Sequence, residues 1–254
     1  MVSMSSVLAW LPGWLGLSYA KLYHAFGEEL FTFRQATQVT HSGNPKLVLS
    51  LLRRKGWVTV FRREGRNRYY RLLKPDHAMN ALALGASIIP KQGRYANLLS
   101  SVIKALTDHY KNGLSCVAVF GSVGRGTANP DSDVDVLTVA EFRGDAASRI
   151  DELAGIEWSG EIERELMWLR AHGVRCHISW FPLTPEEAAR FRPLYLDMTE
   201  DATVVYDRGH FLAGIFRELR NRLEREGGKR VWLDKDRWYW TLSPDIGGKL
   251  VAAV

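Results

Sequence analysis

Two carboxylates one residue apart, Asp133 and Asp135, interrupt an otherwise apolar run within VFGSVGRGTANPDSDVDVL at residues 119–137. In a strand, positions i and i+2 share a face, so the two charges repel unless something cationic lies between them. A metal ion is the simplest such group. Upstream, the apolar run CVAVF at residues 116–120 reads as a buried strand that ends at Gly121 and Ser122. A position without a side chain, a small hydroxyl and the free amides of a helix start or tight turn together suit a phosphate. About ten residues later the chain returns as a strand with both carboxylates on one face and Val134 and Val136 on the other. Magnesium, held by such carboxylates and by substrate phosphates, is the expected occupant.

The rest of the chain must position this pair. At 254 residues, 46% hydrophobic and 24% charged, it has the composition of a soluble globular protein with one large or two smaller domains. Its two cysteines, Cys116 and Cys176, each lie in a strand-like run at a spacing that fits neither a zinc site nor a disulfide framework, which points to a reducing, cytoplasmic setting. The opening MVSMSSVLAWLPGWLGLSYA lacks a basic start and is interrupted by Pro12, Gly13 and Gly16, so we expect residues 1–16 to pack on the fold or a partner and not to enter a membrane. Charge is uneven. Residues 1–75 hold 12 Lys and Arg against 3 Glu, net +9, whereas residues 76–254 hold 22 against 25, net −3. An excess so confined is a candidate polyanion footprint.

The motif GSVGRGTANPDSDVDV is similar to the signature of the DNA polymerase beta-like nucleotidyltransferase superfamily, in particular its minimal prokaryotic members. Their pattern, Gly-Ser-x-x-Arg-Gly followed by Ser-Asp-x-Asp, is met here by Gly121, Ser122, Arg125, Gly126, Ser132, Asp133 and Asp135. The resemblance implies that Gly121, Ser122, Arg125 and Ser132 hold a nucleoside triphosphate and that Asp133 and Asp135 bind two magnesium ions. It also implies the reaction: an acceptor hydroxyl attacks the alpha phosphorus and pyrophosphate leaves. Minimal members often act on partner proteins, so a protein acceptor stands beside nucleic acid and small molecules. A third carboxylate, usual on a following strand, has no counterpart in VRCHISWFPLT at residues 174–184, which offers only His177; a lone His in an apolar strand is expected to be packed and hydrogen-bonded. Glu161, Glu163 and Glu165 read as a solvated helix face.

The basic N-terminal part has its own pattern. Helical periodicity begins near Leu17, with Tyr19, Leu22, Tyr23 and Phe26 on one face; a short helix follows at 33–39, and then, after HSGNP, KLVLSLLRRKG with Leu47, Val48, Leu51 and Leu52 facing inward. WVTVFRR and RYYRLL then alternate as two strands around Glu64 to Asn67. Three helices and a basic hairpin over residues 17–75 resemble a winged helix-turn-helix domain. That resemblance makes Asn44, Lys46, Ser50, Arg53 and Arg54 groove or backbone contacts to DNA, and Arg62, Arg63, Arg66 and Arg68 wing contacts. A homodimer is among the states such domains adopt.

Downstream of Pro75 we expect connector helices to residue 112, interrupted near Pro90 and Gly93, then the nucleotidyltransferase domain over 113–207 and a C-terminal helix and hairpin over 208–254. Thr184 and Pro185 open a short helix, and Phe211, Ile215, Leu219 and Leu223 form the stripe of a longer one. In the tail, Trp232, Trp238, Tyr239 and Trp240 beside Lys229, Arg230, Lys235 and Arg237 are suited either to stack bases or to cap a core. From LYLDMTEDATVVYDRGHFL onward the chain also looks like uncharacterised archaeal proteins that join a winged helix to this domain. The expected fold is mixed α+β. Two functions follow: a magnesium-dependent nucleotidyltransferase guided by a DNA-binding winged helix, or a DNA-binding regulator whose degenerate domain senses nucleotide without turnover.

Overall fold

Pro12 cannot continue a helix backwards, and the first helix starts directly after it: α1 spans Gly13–Phe26, earlier than the expected start at Leu17. The computed structural model describes residues 12–86, 90–158, 160–234 and 237–242, so the opening apolar residues 1–11 and Lys235 lie outside the described residues. The chain divides into two units, residues 1–104 and 105–254.

In the first unit, α1 buries Leu15, Tyr19 and Leu22, and the Ser18 hydroxyl on the same face donates to the Trp14 carbonyl at 2.8 Å. A two-residue strand, β1 (Phe31–Thr32), follows, and Thr32 doubles as the N-cap of α2 (Phe33–Thr40) in a reciprocal capping box with Gln35. Helix α3 (Pro45–Arg54) buries Val48, Leu49 and Leu52. Leu47, expected inside, is 46% exposed, because the core-facing stripe centres on Val48, Leu49 and Leu52, rotated by less than a quarter turn from the expected one. Strands β2 (Val58–Glu64) and β3 (Asn67–Leu72) form the hairpin, and the antiparallel sheet runs in the order β1-β3-β2. Leu22, Phe31, Val48 and Leu52 meet in its core without solvent contact, and truncating either leucine to alanine is expected to cost about 2–5 kcal/mol. Arg71, one of the basic residues counted above, is buried, and its Nε donates to the Glu28 carbonyl at 3.1 Å. Helix α4 is Pro75–Leu84. Helix α5 (Ala96–Tyr110) carries the chain from one unit into the next.

The second unit is built on a mixed sheet in the order β6-β5-β4-β7, from β4 (Leu114–Phe120), β5 (Val134–Ala140), β6 (Ile178–Leu183) and β7 (Thr203–Asp207). Strand β4 pairs antiparallel with β5 and β7, and β5 pairs parallel with β6. Register stacks three rows of side chains on one face: Cys116, Val139 and Leu183; Ala118, Leu137 and Phe181; then Phe120, Asp135 and Ser179. The first two rows enter a core completed by α10 (Leu194–Asp201) and α11 (Phe211–Glu226), through Tyr195, Met198, Leu212 and Phe216. The third row lies at the end of that core, which is why it tolerates a carboxylate.

Helices α7 (Ala146–Glu157), α8 (Glu161–Ala171) and α9 (Pro185–Ala188) complete the unit. Thr184 caps α9 in a box with Glu187, whose carboxylate also takes an Arg149 Nη1 hydrogen bond at 2.6 Å. Glu165 corrects the expected solvated face of α8: it is 1% exposed and sits on the inward stripe with Ile162 and Leu169. Both carboxylate oxygens of Asp207 accept amide hydrogens, from Leu212 and Ala213, and so fix the start of α11 against β7. A hairpin, β8 (Lys229–Trp232) with β9 (Trp238–Thr241), closes the described chain. The fold is mixed α+β, and no helix among the described residues is long and apolar enough to cross a membrane.

Candidate active site

Strand β4 ends at Phe120, and the next residue, Gly121, adopts φ +63° and opens the short helix α6 (Gly121–Arg125). Only glycine adopts that backbone without strain. Space demands it as well, since a Cβ on Gly121 would lie 1.9 Å from Asp135 Oδ2. The turn and the second aspartate are therefore in van der Waals contact, with nothing between them but the hydrogen atoms of a glycine. Gly124 serves a similar purpose on the other side of α6, where a Cβ would lie 2.7 Å from the Val119 carbonyl and 3.2 Å from that of Asp201.

After α6 the chain is folded back by backbone bonds to a single acceptor: the Ser122 carbonyl takes the amides of Gly126, Thr127 and Ala128 at 2.9–3.1 Å. Ser132 then works locally, its hydroxyl accepting the Asn129 amide at 2.9 Å. Asp131 accepts from Arg175 Nε at 2.7 Å, and Val134 donates its amide to the His177 carbonyl at 2.8 Å, which ties the approach of β5 to that of β6. These bonds bring β5 back alongside β4, where Asp135 pairs with Phe120 and meets Gly121, with Asp133 two residues before it.

Asp133 is exposed and Asp135 half-buried. Burial holds the Asp135 carboxyl above the usual carboxylate range, the neighbouring Asp133 charge pushes it the same way, and Arg125 opposes both. Ionised, the pair is a negative site beside the Gly121 turn, and its oxygen-only donors fit a hard divalent cation. Asp133 and Asp135 would hold the metal, and such an ion supplies charge neutralisation to a transferring phosphoryl group.

His177, expected to be packed, is exposed. It precedes β6, one step beyond the row of Asp135 and Ser179, so the alternation that turns Ser179 outward turns His177 outward also. Neither it nor Ser179 is a carboxylate. On the far side of the sheet edge, Glu157 accepts the Trp180 indole N–H at 2.8 Å, and burial raises its carboxyl above the usual range.

In the first unit the basic residues gather around the hairpin and α3. Lys46, Ser50 and Arg53 are exposed along α3 and line a groove with Arg34, Arg66 and Arg68. Arg53 also borders a second hollow with Arg62 and Arg63. Arg54 is exposed at the last turn of α3. Asn44 has a structural duty, since its Oδ1 caps α3 by accepting the Leu47 amide at 3.0 Å. Arg62 is engaged within the hairpin, 2.9 Å from Glu64 and over the ring of Tyr69 at 4.8 Å. Arg63 and Arg68 face each other across the strands.

Solved structures similar to the chain include a toxin–antitoxin complex with AMP-PNP (17% identity, TM-score 0.32, covering 50% of this chain and 90% of that one). Another is the tri-AMPylated Shewanella oneidensis HEPN toxin in complex with MNT antitoxin (15%, 0.31, 51% and 90%). A third is the toxin–antitoxin MntA-HepT (13%, 0.30, 51% and 91%). No curated protein matches the sequence. The family model of the nucleotidyltransferase domain matches residues 99–175, a span that holds the Gly121 turn, α6 and both aspartates. Residues 99–175 thus match a nucleotidyltransferase domain, the domain of enzymes that transfer a nucleoside monophosphate.

Proposed function

We propose that the protein is a magnesium-dependent nucleotidyltransferase that moves a nucleoside monophosphate from a triphosphate to a hydroxyl acceptor, directed by a DNA-binding winged helix in its first unit. The observation that carries the reading is the contact between Gly121 and Asp135, which sets a half-buried carboxylate against the glycine turn that opens α6. In this reading Gly121 and Ser122 receive the triphosphate by backbone amides, Arg125 adds a positive charge, and Asp133 and Asp135 hold the metal. Ser132 keeps the loop before β5 closed. The order helix, strand, helix, helix, strand, strand and the sheet order β1-β3-β2 support the winged helix, and the groove of Lys46, Arg53, Arg66 and Arg68 supports nucleic acid as its ligand.

Incubation with each of four labelled triphosphates, magnesium and cell extract tests the enzyme. Labelled product with release of pyrophosphate is expected, and no product from any of the four would sink the reading. One observation favours a second reading, a regulator that binds nucleotide without turnover: the exposed positions at the start of β6 next to Asp135 are Ser179 and, just before the strand, His177, and neither is a third carboxylate. It predicts nucleotide binding without pyrophosphate, together with duplex DNA binding that weakens steeply as salt is raised.

A further inference from the structure

Arg125 is the last residue of α6, and its guanidinium carbon lies 4.9 Å from the centroid of the Trp238 ring in β9. The same ring receives Arg230 at 5.4 Å, and Arg230 in turn covers Trp232 at 4.8 Å. Arginine and tryptophan therefore alternate from the hairpin towards the phosphate turn. The ring is held at its edge, because Trp238 Nε1 donates to Asp197 Oδ1 at 2.7 Å, and Trp240 donates to the same oxygen at 2.9 Å. The base of the ladder is also fixed. Arg230 forms a two-pronged pair with Asp201 at 2.6 and 3.3 Å, with both side chains less than 15% exposed. Asp201 ends α10, and its carbonyl oxygen is the atom that lies near Gly124 of α6.

We propose that Trp238 is a positioning residue: its ring holds the Arg125 guanidinium over the phosphate turn, so that the C-terminal hairpin sets the affinity of the site for a nucleoside triphosphate. The proposal rests on the nucleotidyltransferase reading given above. Left unsupported, an arginine side chain must be ordered whenever an anion binds, and that ordering subtracts from affinity. A tryptophan face is the strongest aromatic partner for a guanidinium and fixes it in advance. The hairpin has anchors besides this ring, because Trp240 packs on the core of the unit and bonds Asp197, and Arg230 is paired with Asp201. Arg125 is half-buried and its charge reaches Asp135, so its placement bears on the metal site as well as on the phosphates.

The test is calorimetric titration of each nucleoside triphosphate with magnesium into wild type, Trp238→Leu, Trp238→Phe, Arg125→Ala and the double variant Arg125→Ala with Trp238→Leu. Leucine keeps apolar bulk without a π face, and phenylalanine restores the face. We expect Trp238→Leu to raise Kd roughly 3- to 30-fold, Trp238→Phe to recover most of that loss, and the double variant to bind no worse than Arg125→Ala alone. Both Trp238 variants lose the indole hydrogen bond to Asp197, so a fall in melting temperature shared by the two reports that bond, whereas a difference in Kd between them reports the ring face. Wild-type binding with an unaltered Kd in Trp238→Leu overturns the positioning role and leaves the nucleotidyltransferase reading standing, as does a double variant whose losses simply multiply. A wild type that binds none of the triphosphates removes both.

Discussion

Each unit contains a pair of like charges placed together by strand geometry. Arg63 and Arg68 oppose one another across the β2–β3 hairpin, and Asp133 and Asp135 share one face at the start of β5. Both arrangements are unfavourable in the isolated chain, and a ligand of opposite sign would relieve each. Burial separates them. The arginines are exposed at a hairpin tip, where water and salt screen their repulsion, so they report a diffuse polyanion surface at most. Asp135 is half-buried against Gly121, and burial first, then the Asp133 charge, raises its carboxyl above the usual range. The same pattern therefore means different things in the two units: the aspartates belong to a packed contact, the arginines to an open surface.

The largest expected effect breaks the aspartate pair. Asp133→Ala with Asp135→Ala should lower nucleotidyl transfer by about a thousandfold or more, followed as pyrophosphate release, while the protein remains folded by circular dichroism. Gly121→Ala comes next. Its Cβ would occupy the Asp135 carboxylate position in a backbone that L residues avoid, which should cost about 1–2 kcal/mol in denaturant unfolding and at least tenfold in triphosphate affinity. In the other unit, Arg68→Ala should weaken duplex DNA binding and reduce the slope of log affinity against log salt by about 1; an unchanged slope would remove that arginine from the phosphate contacts.

The smallest effect sharpens the comparison. A raised carboxyl means that the folded chain holds the proton more tightly than the unfolded one, so stability falls as pH rises from the usual carboxylate range through the raised value of Asp135. At neutral pH the strain is fully present, and Asp135→Asn should raise the melting temperature by roughly 1–3 °C. The gain should fade at pH 3–4, where the wild-type carboxyl is already protonated, as roughly expected from ordinary carboxylate values. Arg63→Ala, in contrast, should leave melting within about 1 °C, the usual result for an exposed site.

The aspartate motif was legible because it is local: turn, loop and strand lie within about twenty residues, and each residue type has one dominant physical use there. The Thr184 cap and the tail hairpin were legible for the same reason. What escaped depends on long-range pairing. Strand β1 is two residues long and exists because Phe31 and Thr32 pair with Tyr70 and Tyr69, which no periodicity reveals. Leu47 and Leu49 both fit an apolar stripe, and only the packing of α3 against its neighbours chooses Leu49. Glu165 reads as solvated by type but occupies an inward helical position, and His177 reads as buried by its apolar neighbours but follows the outward alternation of Ser179. The contact between Arg125 and Trp238 joins residues more than a hundred positions apart, and the sequence signal for it was no more than an aromatic cluster near basic residues.

Calorimetric titration of magnesium with each nucleoside triphosphate, on wild type and on Asp133→Ala with Asp135→Ala, tests the central claim most directly. The account predicts saturable binding of at least one triphosphate by the wild type that requires magnesium and is lost in the double variant. Equal binding by the two proteins, or wild-type binding indifferent to magnesium, would contradict it.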